Sequence, residues 1–152
     1  MKPPPPEWPR ISSAIFYQDA AAAIDWLCRA FGFAVRIRVE GEGGRIEHSE
    51  LTYGEGVIMV AQEGGPDEAR AWKARMRSPR SVAGGNTQSA MIYVDDVEAH
   101  CAQARAHGAQ IVAPPTVHDY GAEYWSDCSY AALDPEGHLW WMTQRLRNPP
   151  QS

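Results

Sequence analysis

The chain carries one pattern twice. Ile15-Phe16-Tyr17-Gln18-Asp19 leads into a helical stretch that closes on Ala30-Phe31-Gly32-Phe33-Ala34-Val35, and Met91-Ile92-Tyr93-Val94-Asp95-Asp96 leads into another that closes on Ala106-His107-Gly108-Ala109-Gln110-Ile111. Tyr17 and Tyr93, Asp19 and Asp95, Ala30 and Ala106, and Gly32 and Gly108 all stand 76 positions apart. Such self-similarity is the mark of a duplicated structural module.

Each copy reads as strand, helix and further strands. In the first, Arg10 to Tyr17 favours a strand, and Ala20 to Phe31 sets Ala23, Ile24, Leu27, Ala30 and Phe31 at helical spacing. Asp19 is placed to cap that helix and Gly32 to end it in the left-handed conformation. Phe33 to Val39, Ile46 to Tyr53 and Val57 to Gln62 read as strands separated by glycine-rich turns. Module 1 therefore spans 10–63. A connector follows over 64–86, whose basic stretch Arg70 to Arg80 reads as a solvated loop or short helix. Module 2, over 87–146, gives strand Ser89 to Val94, helix Val97 to His107 capped by Asp95 or Asp96, and a short strand near Gln110 to Ala113. A loop from Pro114 to Glu123 and strands Ser126 to Leu133 and Leu139 to Gln144 complete it, the last two joined by the tight turn Asp134-Pro135-Glu136-Gly137. Residues 1–9 form a proline-rich extended arm that Trp8 docks to the body, and 147–152 a frayed tail. The two modules share one structural domain.

Composition excludes several classes of function. A formal net charge of −5 does not suit a nucleic-acid binder, which needs clustered lysine and arginine against phosphate. No apolar run approaches the roughly 20 residues that span a bilayer, and the start has no signal-like apolar segment, so a cytoplasmic protein is expected. Cys28, Cys101 and Cys128 are odd in number and lack metal-finger spacing, so free thiols are expected.

Two tandem βαβββ modules, the Tyr93-Val94-Asp95-Asp96-Val97 junction and the late Asp134-Pro135-Glu136-Gly137 turn resemble the vicinal oxygen chelate superfamily of glyoxalases, bleomycin resistance proteins and ring-cleaving dioxygenases. The resemblance covers roughly 10–146. Tyr53-Gly54-Glu55-Gly56-Val57-Ile58-Met59-Val60 and the Trp125 to Trp140 hairpin look like its PhnB-like subgroup, although Ser126 and Cys128 replace the usual Gly and Arg. It implies an α+β fold in which the modules form a cupped mixed sheet, a homodimer, and in catalytic members a divalent metal held by His or Gln and Glu from four strands. Here those positions fall on Ser12 (or Ser13), Met59 (or Val60), Ser89 (or Gln88) and Trp141. Hydroxyls, a thioether and an indole are poor donors to such a cation, so neither metal nor other cofactor is expected.

Strand parity within that cup turns Phe16, Met59 or Val60, Met91, Tyr93, Trp141 and Thr143 inward, above Ser12 and Ser89, with Phe16 and Met91 read as core filling. Adjacent Trp140 and Trp141 must face opposite sides. Of the five histidines, His107 suits a helix end, His138 supports the turn, and His48 and His118 stand on a strand and a loop where this fold keeps its cavity. The ligand-binding candidates are Tyr17, His48, Met59, Tyr93, His118, Glu123, Trp125 and Trp141, a soft aromatic set suited to a flat small molecule. Asp119, Glu123 and Asp127 are placed to attract a cationic one. Sequestration of an aromatic or cationic natural product is the first reading. A metal-independent lyase or isomerase, using His48, His118 or Glu123 as acid or base, is the second, and a metal-dependent glyoxalase or dioxygenase the third.

Overall fold

In a computed structural model, which describes residues 1–151, the chain divides into two compact units, Met1 to Ala83 and a second that begins at Gly84. The N-terminal unit contains β1 (Ser13–Tyr17), α1 (Ala20–Phe31), β2 (Ala34–Glu40), β3 (Ile46–Tyr53) and β4 (Gly56–Gln62). Its sheet has the order β1-β4-β3-β2, with β1 parallel to β4 and the other pairs antiparallel. Asp19 accepts the Ala22 amide at 3.0 Å at the helix start, and Gly32 ends the helix at φ 84°. Ile24, Leu27 and Phe31 are fully buried, each contributing on the order of 1.5–3 kcal/mol.

The C-terminal unit repeats this plan with β5 (Ala90–Tyr93), α2 (Val97–Ala106), β6 (Gln110–Asp119), β7 (Ser126–Leu133) and β8 (Leu139–Arg147), in the sheet order β5-β8-β7-β6. The duplication extends to the way each helix is tied to its sheet. A glutamine on the last strand accepts the first helical amide, Gln62 from Ala20 at 3.4 Å and Gln144 from Val97 at 3.1 Å. His100 Nδ1 lies 2.7 Å from the Tyr130 hydroxyl, fixing α2 to β7. The two βαβββ modules of the α+β reading are thus present.

The structural repeat corrects the sequence repeat by one residue. Asp96, not Asp95, caps α2 by accepting the Ala99 amide, so the counterpart of Asp19 lies 77 positions on. Tyr17 pairs with Gln62, and Tyr93 with Thr143, one position before Gln144, so Tyr17 corresponds to Val94 rather than Tyr93. Helix α1 has 12 residues and α2 has 10, which is why the spacing differs at the helix start.

Several boundaries also shift. β1 starts at Ser13, because Arg10 turns back to donate from Nη2 to the Lys2 carbonyl. β6 runs to Asp119, through what reads as a loop from Pro114, because its two prolines sit at a register shift on an edge strand, where no ladder donor is needed. β8 continues past Gln144 to Arg147, the first residue of the expected frayed tail, which pairs with Ser126. The basic stretch forms short 3-10 turns at Lys73–Arg75 and Pro79–Val82, and Lys73 is buried rather than solvated. The segment is stapled to the N-terminal unit by Glu63, whose carboxylate accepts the Ser78 amide at 2.7 Å and the Ser81 hydroxyl at 2.6 Å. Cys28, Cys101 and Cys128 are free thiols, and among the described residues no helix is long and apolar enough to cross a membrane.

The turn between β7 and β8 is organised by buried Asp134. Its carboxylate accepts the Glu136 and His138 amides, each at 3.0 Å, and the Trp140 indole N–H at 3.1 Å. Removing that acceptor orphans a buried indole donor. Asp134→Ala is expected to lower stability by about 3 kcal/mol in urea denaturation, and a loss under about 1 kcal/mol contradicts this role for the turn.

Candidate functional site

One face of each sheet carries the helix; the other is here the open face. In the C-terminal unit, directly opposed residues share a face, so the register lays out transverse rows. On the open face, His118, Asp127 and Arg145 form one row across β6, β7 and β8. Thr116, Ser129, Thr143 and Tyr93 form the next, with Ser129 Oγ 2.9 Å from Thr143 Oγ1. Ala131, Trp141 and Met91 form a third. Trp140 faces the other way and is buried, as adjacency requires.

Arg145 organises the first row. Its Nε donates to Asp127 Oδ1 at 2.5 Å, Nη2 to the Tyr93 hydroxyl at 2.7 Å, and Nη1 to Asn148 Oδ1 at 3.2 Å. The guanidinium carbon lies 5.5 Å from the ring centres of both Tyr93 and Trp125, within cation–π range. Aromatic contacts continue outward: Tyr120 lies 5.2 Å from Trp125, Tyr124 meets Trp125 edge-on at 6.2 Å, and His118 lies 6.5 Å from Tyr120. Tyr93, Tyr120 and Tyr124 remain about half exposed. The hairpin beneath them is closed by the Tyr120 amide on the Trp125 carbonyl and by a turn from Gly121 to Tyr124. Asp119 accepts the Gly121 amide and Arg147 Nη2, and these two bonds hold its carboxyl below the ordinary aspartate range.

On the open face of the N-terminal unit, Met59 stands between Ala14 on β1 and Glu50 on β3. Buried Glu50 accepts Arg36 Nε at 2.8 Å and lies 3.2 Å from His48 Nε2. Arg36 Nη2 approaches the same carboxylate at 2.8 Å but is too poorly aligned to count as a hydrogen bond, so that contact is ionic only. Burial pushes the Glu50 carboxyl up, but the bonds from His48 and Arg36 and the Arg36 charge outweigh it and hold it below its ordinary value. Trp8 lies over the Arg36 guanidinium at 4.8 Å, and Arg36 Nη1 donates to the Glu7 carbonyl, so the arm is docked through Trp8 as expected.

The structure gathers Tyr93, His118, Trp125 and Trp141 on one face, and separately His48 and Met59 on another. Tyr17 is a correction: it is fully buried on the helix side beside Gln62, so no ligand reaches it. Val60 is also buried on that side, leaving Met59 as the outward member of the pair. Met91 is half exposed on edge strand β5 and does not fill the core, whereas Phe16 is buried. Glu123 stands exposed in the hairpin turn, while Asp119 and Asp127 are each paired with an arginine. Arg145, Arg36 and Glu50 escaped the sequence reading. Arg145 lies two residues after Thr143 on the same strand, so extending the parity past Gln144 finds it.

The donor set does not fit a divalent metal. The Ser12 hydroxyl is spent on the Val57 carbonyl at 2.5 Å, Met59 offers a thioether, and the Trp141 indole only donates. Among the described residues no group of three or more His, Cys, Asp or Glu is placed to hold a metal ion.

Comparison with known proteins gives consistent matches. Residues 11–142 match the family model of the Glyoxalase/Bleomycin resistance protein/Dioxygenase superfamily. The Mycobacterium bovis protein Mb0911c is 29% identical over 139 residues, covering 91% of this chain and 85% of its own length. Among solved structures, TioX from Micromonospora sp. ML1 is 32% identical with a TM-score of 0.66, covering 91% of this chain and 99% of its own. A glyoxalase/bleomycin resistance protein/dioxygenase family enzyme from Burkholderia phytofirmans, at 20% identity and a TM-score of 0.60 over 89% of this chain and 97% of its own, shares the fold.

The Glu50 cluster makes stability depend on acid. Because folding lowers the pKa of Glu50 and so favours its ionised form, charged Glu50 contributes stability that is present above the ordinary value of 4.5 and lost as pH falls through its folded value. Urea midpoints measured from pH 7 to pH 3 are expected to fall less steeply for Glu50→Gln than for the wild type. Equal slopes below pH 4.5 contradict the assignment.

Proposed function

The chain belongs to the glyoxalase/bleomycin resistance protein/dioxygenase superfamily, and from that premise we propose that it is a metal-free binding protein that sequesters a flat aromatic small molecule. The observation that carries this reading is the aromatic surface around Arg145, in which half-exposed Tyr93, Tyr120 and Tyr124 flank the partly buried Trp125. Rings held by a sheet and a closed hairpin lose little freedom when a ligand stacks on them, and each stacked pair adds about 0.5–1.5 kcal/mol beyond its buried area. The Tyr93 hydroxyl, and Ser129 braced from below by buried Thr143, place polar groups beside the rings.

Cationic ligands fit the same surface through the ring faces rather than through free carboxylates, because Asp119 and Asp127 are already paired. Three free cysteines support a cytoplasmic setting. Exposed Val35, Ile37 and Val39 along edge strand β2 support a homodimer.

The test is to titrate metal-free bleomycin while following tryptophan fluorescence, then to recover the compound and weigh it by mass spectrometry. Saturable binding by the metal-depleted protein is expected, weakened about tenfold or more by Trp125→Ala, with the compound returned unchanged. Chemical alteration supports the lyase or isomerase reading instead. Binding only after nickel, zinc, manganese or iron is added to the protein returns the metal-dependent one.

A further inference from the structure

We propose that Arg36 is the floor of a stacking subsite for a planar aromatic ring in the N-terminal unit, and that Trp8 of the proline-rich arm occupies this subsite in the free chain. The site is built from a fixed guanidinium. Arg36 Nε is held by buried Glu50, Nη2 lies against the same carboxylate, and Nη1 is spent on the Glu7 carbonyl at 2.7 Å. With its edge committed, a guanidinium offers its faces to partners, and the ring of a planar aromatic is the group that matches them. Trp8 takes that place at 4.8 Å.

Three observations mark Trp8 as a removable occupant. First, the arm that brings it contains Pro3, Pro4, Pro5, Pro6 and Pro9, which have no amide donors to tie it to a sheet. Second, the residue before Trp8 is strained: Glu7 holds φ 64°, a left-handed conformation that side chains other than glycine rarely adopt. Third, Trp8 is not packed on all sides. A groove of about 450 Å³, lined by Pro3, Pro4, Pro5, Trp8, Pro9 and Arg10, lies beside it.

The C-terminal unit contains the same combination of carboxylate, arginine and tryptophan, in Asp127, Arg145 and Trp125. There the tryptophan belongs to the hairpin that leads into β7 and stays with the sheet. In the N-terminal unit it is delivered by the arm, so the position it fills is vacated when the arm swings away; the Glu7 contact goes with the arm, and Glu50 alone then holds the guanidinium. A planar ligand ring that displaces Trp8 gains the guanidinium face, with His48 half exposed beside Glu50 as a polar neighbour.

Free indole is the probe, since it is the side chain that the subsite already holds. Trp8→Gly is expected to bind indole saturably in ligand-observed saturation-transfer NMR, about tenfold more tightly than the wild type, and the gain is expected to vanish in the double variant Trp8→Gly, Arg36→Gln. Any indole bound at the aromatic face of the C-terminal unit contributes equally to all three proteins, so the difference reports on Arg36 alone and fails independently of the sequestration reading. Urea midpoints confirm that each variant is folded.

A second measurement uses the wild-type fold, with 5-fluorotryptophan incorporated and the Trp8 resonance assigned through Trp8→Phe. Arg36→Gln is expected to move that resonance to the position of a solvent-exposed indole. Glu7→Gly, which relieves the left-handed strain, is expected to move it further from that position. Equal indole binding by wild type and Trp8→Gly overturns the proposal. So does a Trp8 resonance that Arg36→Gln leaves unmoved.

Discussion

The ion pair between Asp127 and Arg145 is the contact on which the candidate site depends. Asp127 is buried and Arg145 only partly exposed, so the loss of hydration on forming the pair offsets much of its attraction. The value of this pair is positional. Asp127 and Arg145 are opposed residues of β7 and β8, so the sheet register brings them together, and the pair then fixes the guanidinium in one orientation. Once fixed, it donates to the Tyr93 hydroxyl on β5 and lies within reach of the Trp125 ring at the mouth of the β6–β7 hairpin. A ladder of backbone hydrogen bonds is thereby converted into a fixed arrangement of exposed rings.

The two units show how a duplicated scaffold diverges. What they share is structural: aspartate caps, glutamines that tie each helix to its last strand, and one sheet order. What differs is the open face. Both units bury a carboxylate there against an arginine, Glu50 with Arg36 and Asp127 with Arg145, but only the C-terminal unit adds the hydroxyl row and the hairpin rings of Tyr120, Tyr124 and Trp125. Met59 and Trp141, at corresponding places opposite β1 and β5, offer no lone pair suited to a hard cation.

Much of this was legible in the sequence because local chemistry and fold agree. Asp19, Gly32, the helical spacing from Ala20 to Phe31 and the Asp134 turn each point to one conformation, and the structure adopts it. The failures have physical causes. Pro114 and Pro115 read as a loop because proline cannot donate within a ladder, but a register shift on an edge strand removes that demand. Tyr17 read as the partner of Tyr93 because sequence offset treats both modules as one length, whereas the helices differ by a turn fraction, and one residue of slip changes the face of a strand side chain. Arg145 and Arg36 were invisible because a basic residue near a strand end looks solvated until the sheet places a carboxylate opposite it.

Trp125 and Arg145 are the proposed meeting point of ligand and chain. The most direct measurement is a titration of nitrogen-15-labelled protein with metal-free bleomycin, following the tryptophan indole and arginine Nε–H resonances together. The Trp125 and Arg145 signals are expected to shift along one saturable curve, while the Trp140 indole, bonded to Asp134 inside the C-terminal unit, stays in place. Saturable shifts elsewhere in the chain with Trp125 and Arg145 unmoved contradict it.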